Sequence, residues 1–279
     1  MSRPALVAPD SFKGSFSAAE VAAAIARGLR AGGREAVEMP VADGGEGTMD
    51  VLLGALGGER RTVTASDPLG RPVEAAFGLL PGGDVALVEA AQASGLGLVP
   101  EAERDAWAAS TYGTGEVIVA AVEAGAQRVI VTVGGSGTTD GGSGAVRALD
   151  EAGVSPRLEV LCDVRTPFED APRVFAPQKG ADPATVKRLE RRQAELAAKA
   201  PRDPRGVPMT GAAGGLSGGL WAHRHAQLSP GAPYVLNAIG FHEAMRKSAF
   251  VVTGEGAWTS RLSRGRPQAR LPRRRANRG

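Results

Sequence analysis

Glycine-rich loops that carry a charged side chain follow several apolar segments of this chain. The clearest is residues 131–144, VTVGGSGTTDGGSG, where small residues let backbone N–H groups approach an anion and Asp140 adds a carboxylate. The dipole of a following helix would favour phosphate at the same place. The alternative is a tight turn in which Asp140 only caps that helix. The loop matches neither a Walker A motif nor a dinucleotide fingerprint.

A second loop, PDSFKGS at residues 9–15, contains Lys13, whose ammonium suits a phosphate or a carboxylate. Lysine is scarce, with five residues against 28 arginines, so a lysine in a glycine–serine loop is notable. A solvated loop lysine would give the same pattern. Other loops and strand ends supply further polar candidates, which are Asp43, Glu46, Asp163, Gln178, Lys179 and Glu255.

The four carboxylates of this last group, the two lysines and the two loops able to hold an anion together indicate phosphoryl transfer. That reaction needs a phosphate cradle, a divalent metal held by carboxylates, and a base for the acceptor hydroxyl. The predicted substrate- or phosphate-binding residues are Asp10, Ser11, Gly134, Gly135, Ser136, Thr138, Thr139, Gly141, Gly142, Gln178 and Lys179. The predicted catalytic residues are Lys13, Asp43 and Asp140, with either aspartate open as the base, and the predicted metal ligands are Asp163 and Glu255.

The apolar segments between these loops predict an α/β fold. Strands are predicted at 5–8, 36–41, 61–65, 73–80, 85–90, 128–133, 158–162 and 249–252, and helices at 17–29, 48–56, 111–124, 182–200 and 234–247, with another ending at about 149. Strand–loop–helix alternation dominates, apart from three consecutive strands after Gly57. In open α/β sheets, ligands bind beyond the carboxyl ends of the strands, where these loops lie.

Composition narrows the class of protein and its partners. The 279 residues, 43% of them hydrophobic, are typical of a soluble globular chain, and a single cysteine, Cys162, excludes an intrachain disulfide. The net charge of +3 comes from eight arginines within residues 261–279, without which acidic side chains outnumber basic ones. The rest of the chain has no basic stripe with aromatics, which argues against nucleic acid as a partner. No signal peptide or membrane span is evident, so we expect a cytoplasmic protein.

Nine segments, in this order, resemble the glycerate 2-kinase family, the bacterial type that phosphorylates D-glycerate with ATP. They are APDSFKGS (8–15), ADGGEGT (42–48), DPLGRPV (67–73), TYGTGE (111–116), GGSGTTDGG (134–142), CDVRTPF (162–168), FAPQKGA (175–181), GAAGGL (211–216) and VTGEG (252–256). The resemblance implies two α/β domains, with Rossmann-like or flavodoxin-like sheets, around a cleft. It also implies ATP and Mg²⁺ as cosubstrate and cofactor, and 2-phosphoglycerate as the product.

The resemblance leads us to expect a first domain at 1–58 plus about 240–256, a second domain inserted at 59–239, and an aberrant basic tail at 257–279. Common family members have a longer segment where residues 150–157 stand here. They also continue differently after TGEG. The genetic code allows codons for the tail that, read in a shifted frame, would encode family-like sequence, so we expect the tail to be a frame-shifted form of the family's C-terminus. Two hypotheses therefore accompany an active kinase, namely an inactive or binding-only remnant and a nucleotide-dependent dehydrogenase, which the missing fingerprint disfavours. A homodimer stays open.

Overall fold

The computed structural model describes residues 3–12 and 14–255, so the predictions for Lys13 and for the tail at 257–279 lie outside the described residues. Within that part of the chain, helices and strands alternate around two separate sheets. The predicted mixed α/β fold is confirmed.

The strands and helices lie close to the predicted segments. The strands are β1 Ala5–Val7, β2 Ala36–Glu38, β3 Glu59–Ser66, β4 Pro72–Leu79, β5 Val85–Glu89, β6 Arg128–Thr132, β7 Arg157–Cys162, β8 Gln227–Pro230 and β9 Phe250–Val252. The α-helices are α1 Ala18–Ala31, α2 Thr48–Leu56, α3 Ala91–Ser94, α4 Tyr112–Glu123, α5 Ser143–Glu151, α6 Ala171–Phe175, α7 Pro183–Lys199, α8 Leu216–Arg224, α9 Gly231–Ala238 and α10 Phe241–Lys247.

The small sheet, as we call it, has the described strand order β2-β1-β9, and all its strands run parallel. α1 begins at a capping box formed by Ser17 and Glu20, and it packs Ala22 against Val7 of β1. α10 packs Phe241 against the opposite face of the same strand. The central strand β1 is thereby buried on both faces, whereas Val37 of β2 and Phe250 of β9 are exposed.

The large sheet has the described strand order β3-β4-β5-β6-β7-β8, in which β5 to β8 run parallel and β3, β4 and β5 pair antiparallel. Alternate residues of each strand face opposite sides. Val131 and its neighbours therefore pack with α4, α5 and α8, whereas Ile130 and its neighbours pack with α2 and α9. Cys162 lies in this core as a buried thiol, and burial raises its pKa.

The short helices α3 and α6 were not predicted, and two further elements differ from the sequence prediction. The helix predicted over 234–247 is two helices, α9 and α10, because Gly240 adopts a φ of 73° and interrupts the helix between them. The polar strand β8 was not predicted, since its four residues, QLSP, have little strand character. α2 packs on the large sheet through Leu52, although the prediction assigns it to the first domain. The domain boundaries stay a prediction.

Candidate functional site

The loops after β1, β2 and β9 meet at the carboxyl edge of the small sheet. The amide of Asp10 donates to the carbonyl of Gly254 at 2.9 Å, and the amide of Val41 donates to the carbonyl of Pro9 at 3.0 Å. The amide of Ser11 donates to the Asp10 carboxylate at 2.6 Å. The predicted residues Asp10, Ser11 and Glu255 therefore belong to one cluster of loops, as parallel strands require.

Residues 43–47, which we call the bridging loop, lead from that cluster onto the carboxyl edge of the large sheet. Its glycines touch backbone there: a Cβ on Gly44 would lie 2.5 Å from Cα of Gly231, which follows β8, and a Cβ on Gly134, which follows β6, would lie 2.6 Å from Cα of Gly45. β7 lies between β6 and β8, and Asp163 directly follows it. The strand order therefore places Asp163 between the two contacts of the bridging loop.

Acidic side chains of the bridging loop border the loop after β6. The Glu46 carboxylate is exposed, and one of its oxygens lies 3.3 Å from where a Cβ on Gly135 would be. The Asp43 carboxylate accepts a hydrogen bond from the amide of Gly45 at 2.9 Å, which fixes its orientation within the loop. The structure thus brings together Asp43, Glu46, Asp163 and the exposed Gly135, three of which are predicted site residues.

The loop after β6, residues 134–142, which we call the β6 loop, is mostly buried. Gly135 is its exposed residue, whereas Thr138 and Thr139 have no solvent exposure. Close contacts with the protein explain why the last two residues of this loop are glycines. A Cβ on Gly141 would lie 2.8 Å from Leu196, and one on Gly142 would lie 2.9 Å from a backbone oxygen. These glycines permit close packing against the protein.

Asp140 satisfies the N-termini of two helices. Its Oδ1 accepts from the amide of Gly142 at 3.1 Å, and its Oδ2 accepts from the amides of Gly144 at 3.1 Å and Thr111 at 2.8 Å. The amide of Ser143 donates to the Asp140 carbonyl, and that of Ala145 donates to the Thr111 hydroxyl. The first amides of α5 therefore have protein partners, which is the capping geometry of the alternative interpretation. A role for Asp140 as base stays a prediction.

Two cationic side chains hold the carbonyls of the β6 loop. The Lys179 ammonium donates to the carbonyl of Thr138 and, at 3.1 Å, to the hydroxyl of Ser136. Arg192 of α7 donates to the carbonyl of Thr139 at 2.9 Å. Lys179 is 2% exposed, and burial lowers its pKa to about 7 against the opposing effect of the Asp140 charge. Its contacts place Lys179 behind the loop, so its predicted contact with substrate stays a prediction.

Sequence reasoning missed Arg192 and Glu89. Arg192 lies three residues after Leu189 and four before Leu196, so it falls on the apolar face of α7, and a charge on that face is the signal that could have found it. Glu89 ends the apolar strand β5 and is 4% exposed. The predicted residue Gln178, by contrast, is exposed beside Lys179.

We call the place where the bridging loop joins the carboxyl edges of the two sheets the junction. Its residues fit a magnesium-bound nucleotide. The hydroxyls of Thr138 and Thr139 are buried without a hydrogen-bond partner among the described residues, and such orphaned groups call for a water or a bound ligand. Within residues 3–12 and 14–255, no group of three or more His, Cys, Asp or Glu side chains could hold a metal alone. Mg²⁺ commonly takes one or two carboxylates and completes its shell with phosphates and waters. Asp163 with Glu46 or Glu255 suits that mode.

Two α/β sheets whose carboxyl edges meet through acidic, glycine-rich loops are typical of enzymes that bind phosphate-bearing ligands at strand ends. The family model described as "Glycerate kinase family" matches residues 5–155 and 151–278. The chain therefore belongs to the glycerate kinase family. The two matched parts meet at the turn between α5 and β7, where the sequence indicates a shortened segment.

Relatives of the chain are similar over most of its length. A glycerate kinase of Halalkalibacterium halodurans is 40% identical over 90% of this chain and 76% of its own length. A glycerate 2-kinase of Escherichia coli K12 is 39% identical over 94% of this chain and 79% of its own. A crystal structure from Salmonella typhimurium LT2, provisionally assigned as glycerate kinase 2, matches with a TM-score of 0.80 and 35% identity over 92% of this chain and 79% of its own.

Over the residues that the structure describes, no helix combines the length and apolar character needed to cross a membrane.

Proposed function

We propose that this chain phosphorylates D-glycerate with ATP and Mg²⁺, and that the 2-hydroxyl is the acceptor. One observation carries the proposal: in a chain of the glycerate kinase family, the bridging loop brings Asp43 and Glu46 to the strand ends that carry Gly135 and Asp163. The name of the Escherichia coli relative, glycerate 2-kinase, supports the position of the acceptor hydroxyl.

The proposed roles follow from position. Asp43, half-buried and oriented by the amide of Gly45, is the candidate base that accepts the proton of the glycerate hydroxyl. Asp163, with Glu46 or Glu255, would hold Mg²⁺. When bound, the magnesium nucleotide supplies the phosphoryl group and neutralises charge on it. The backbone of Gly135, the exposed part of the β6 loop, would contact the phosphates.

The loop after β1 supplies the remaining proposed contacts. Lys13 would neutralise an anionic group of glycerate or ATP, and Asp10 and Ser11, both half-buried, would contribute polar contacts. This loop belongs to the small sheet, whereas the β6 loop belongs to the large sheet. The two ligands would therefore be bound by residues from both sheets. We further propose a cytoplasmic location and a homodimer, with no nucleic-acid partner.

A coupled assay of ADP release with D-glycerate tests the activity, and ³¹P NMR of the product distinguishes the 2-phosphate from the 3-phosphate. We expect glycerate-dependent ADP release and a 2-phosphate. Asp43→Asn should lower kcat by about 10²–10⁴-fold, whereas the matched variant Asp84→Asn, at an exposed aspartate between β4 and β5, should not. ATP-induced thermal stabilisation without turnover would contradict the proposal and identify a binding-only protein.

A further inference from the structure

The first turn of α2 is capped by a side chain from the large sheet. Its N-cap residue, Gly47, has no side chain, and the hydroxyl of the next residue, Thr48, is buried without a partner among the described residues. The carboxylate of Glu89, 40 residues further along the chain at the end of β5, accepts from the amide of Met49 at 2.9 Å. The amide of Gly47 also stabilises that carboxylate. The helix that follows the bridging loop is therefore capped from the large sheet.

Burying this carboxylate is costly. Desolvation raises the pKa of Glu89, and the charge of Asp50 raises it further, against the opposing hydrogen bonds from Met49, Gln92 and Gly47. An apolar side chain at a strand end of the core would avoid that penalty. The presence of a carboxylate here is therefore explained by its hydrogen bond to the start of α2, and not by the packing of the sheet.

Glu89 holds the far end of the bridging loop. At the near end, the backbone of Gly44 contacts that of Gly231, and the backbone of Gly45 contacts that of Gly134. Beyond the loop, Glu89 fixes the first turn of α2 to the end of β5. Glu46 lies between these attachments, and Asp43 directly precedes the near one and is held to it by the amide of Gly45.

We propose that Glu89 is a positioning residue of the reaction, whose carboxylate anchors the start of α2 and so sets where Asp43 and Glu46 stand relative to Asp163. Glu89 acts through the bridging loop and not on substrate. The inference rests on the proposed function, which assigns the chemistry to those carboxylates.

Three variants test it: Glu89→Ala, Glu89→Gln and the matched control Glu116→Ala. Glu116 of α4 also accepts a backbone amide from another element, that of Ser66 at 2.6 Å, but away from the bridging loop. Unfolding by urea gives the stability of each variant. Steady-state kinetics follow at a temperature where all are folded, with kcat and both KM values measured.

We expect Glu89→Ala to lower kcat by about ten- to a hundredfold, because small displacements of reacting groups are that costly. Glu89→Gln should recover part of the loss, since its amide oxygen still accepts from Met49. Glu116→Ala should lose stability while kcat stays within about twofold of wild type. A wild-type kcat in folded Glu89→Ala overturns the proposal, as does an equal loss of kcat in Glu116→Ala.

Hydrogen–deuterium exchange separates this inference from the proposed function, because it needs no turnover. Deuterium uptake over residues 43–50 should rise in Glu89→Ala and remain at the wild-type level in Glu116→Ala. An unchanged uptake in Glu89→Ala overturns the anchoring role even if the enzyme is active. A wild-type chain without kinase activity but with the predicted uptake would refute the proposed function alone.

Discussion

The β6 loop and the bridging loop are alike in sequence and differ in what holds them. Each is rich in glycine, carries a carboxylate, follows a parallel strand and precedes a helix with a glycine N-cap. The β6 loop caps its own helix with Asp140 and is backed by Lys179 and Arg192. The bridging loop depends on Glu89 from the other sheet. The β6 loop is therefore mostly buried and fixed by its own neighbours, whereas the bridging loop places carboxylates at the junction.

If this contrast holds, changes behind the β6 loop should act mainly on stability. The largest effect is expected for Gly214→Ala. Gly214 has a φ of +66°, and a Cβ there would lie 2.1 Å from the carbonyl oxygen of Thr138. Overpacking and backbone strain together should lower the free energy of unfolding by about 3 kcal/mol or more. Urea denaturation measures the loss.

Gly28→Ala is the matched control for that variant. Gly28 lies in α1 with no neighbour within 4 Å of a built Cβ, so alanine there should raise stability by about 0.5–1 kcal/mol. If both variants were equally stable, the β6 loop would not be packed as described.

Asp140→Asn should lower the free energy of unfolding by about 1–3 kcal/mol. Both carboxylate oxygens accept amide N–H groups, so an asparagine must turn its own NH₂ towards donors. An ordinary N-cap would tolerate asparagine almost without loss. Urea unfolding beside the control Asp84→Asn, at an exposed aspartate between β4 and β5, measures the difference. A loss of kcat in the folded variant that exceeds the loss in Asp43→Asn would instead make Asp140 the base.

Lys13→Ala should act on catalysis and leave stability unchanged. Removing one charge-assisted hydrogen bond of about 1.5–3 kcal/mol corresponds to roughly a 10- to 150-fold loss of kcat/KM. The control is Lys187→Ala, at an exposed lysine of α7. Steady-state kinetics with D-glycerate and a thermal melt provide the two readouts. Wild-type kinetics would return Lys13 to the role of a solvated loop lysine.

A pH dependence of stability should come from Lys179. Its pKa of about 7 in the folded protein lies below the ordinary value of 10.5, so the unfolded chain binds an extra proton between those values. The stability of the wild type, measured against Lys179→Met, should therefore rise with pH between about 7 and 10.5. Urea unfolding of both proteins across this range gives the difference, and a flat difference would mean that burial does not lower the pKa of Lys179.

The sequence predicts those features that depend on local pattern. The β-branched residues of β6 and the capping box of α1 identify their elements, and the glycine-rich segments identify the loops at the strand ends. It offers the capping of α5 by Asp140 as one of two interpretations, but it could not predict the contact with Thr111, because only the packing of α4 on α5 brings that residue to Asp140. Glu89 was missed for the same reason, since its partner Met49 belongs to a distant segment.

The most direct test of the account is a crystal structure with a non-hydrolysable ATP analogue, Mg²⁺ and D-glycerate. The account predicts the terminal phosphate at the backbone of Gly135 and Mg²⁺ between that phosphate and Asp163. It also predicts the 2-hydroxyl of glycerate at about 2.6–3.2 Å from the Asp43 carboxylate. Ligands bound away from the bridging loop, or a glycerate hydroxyl facing a different base, would contradict it.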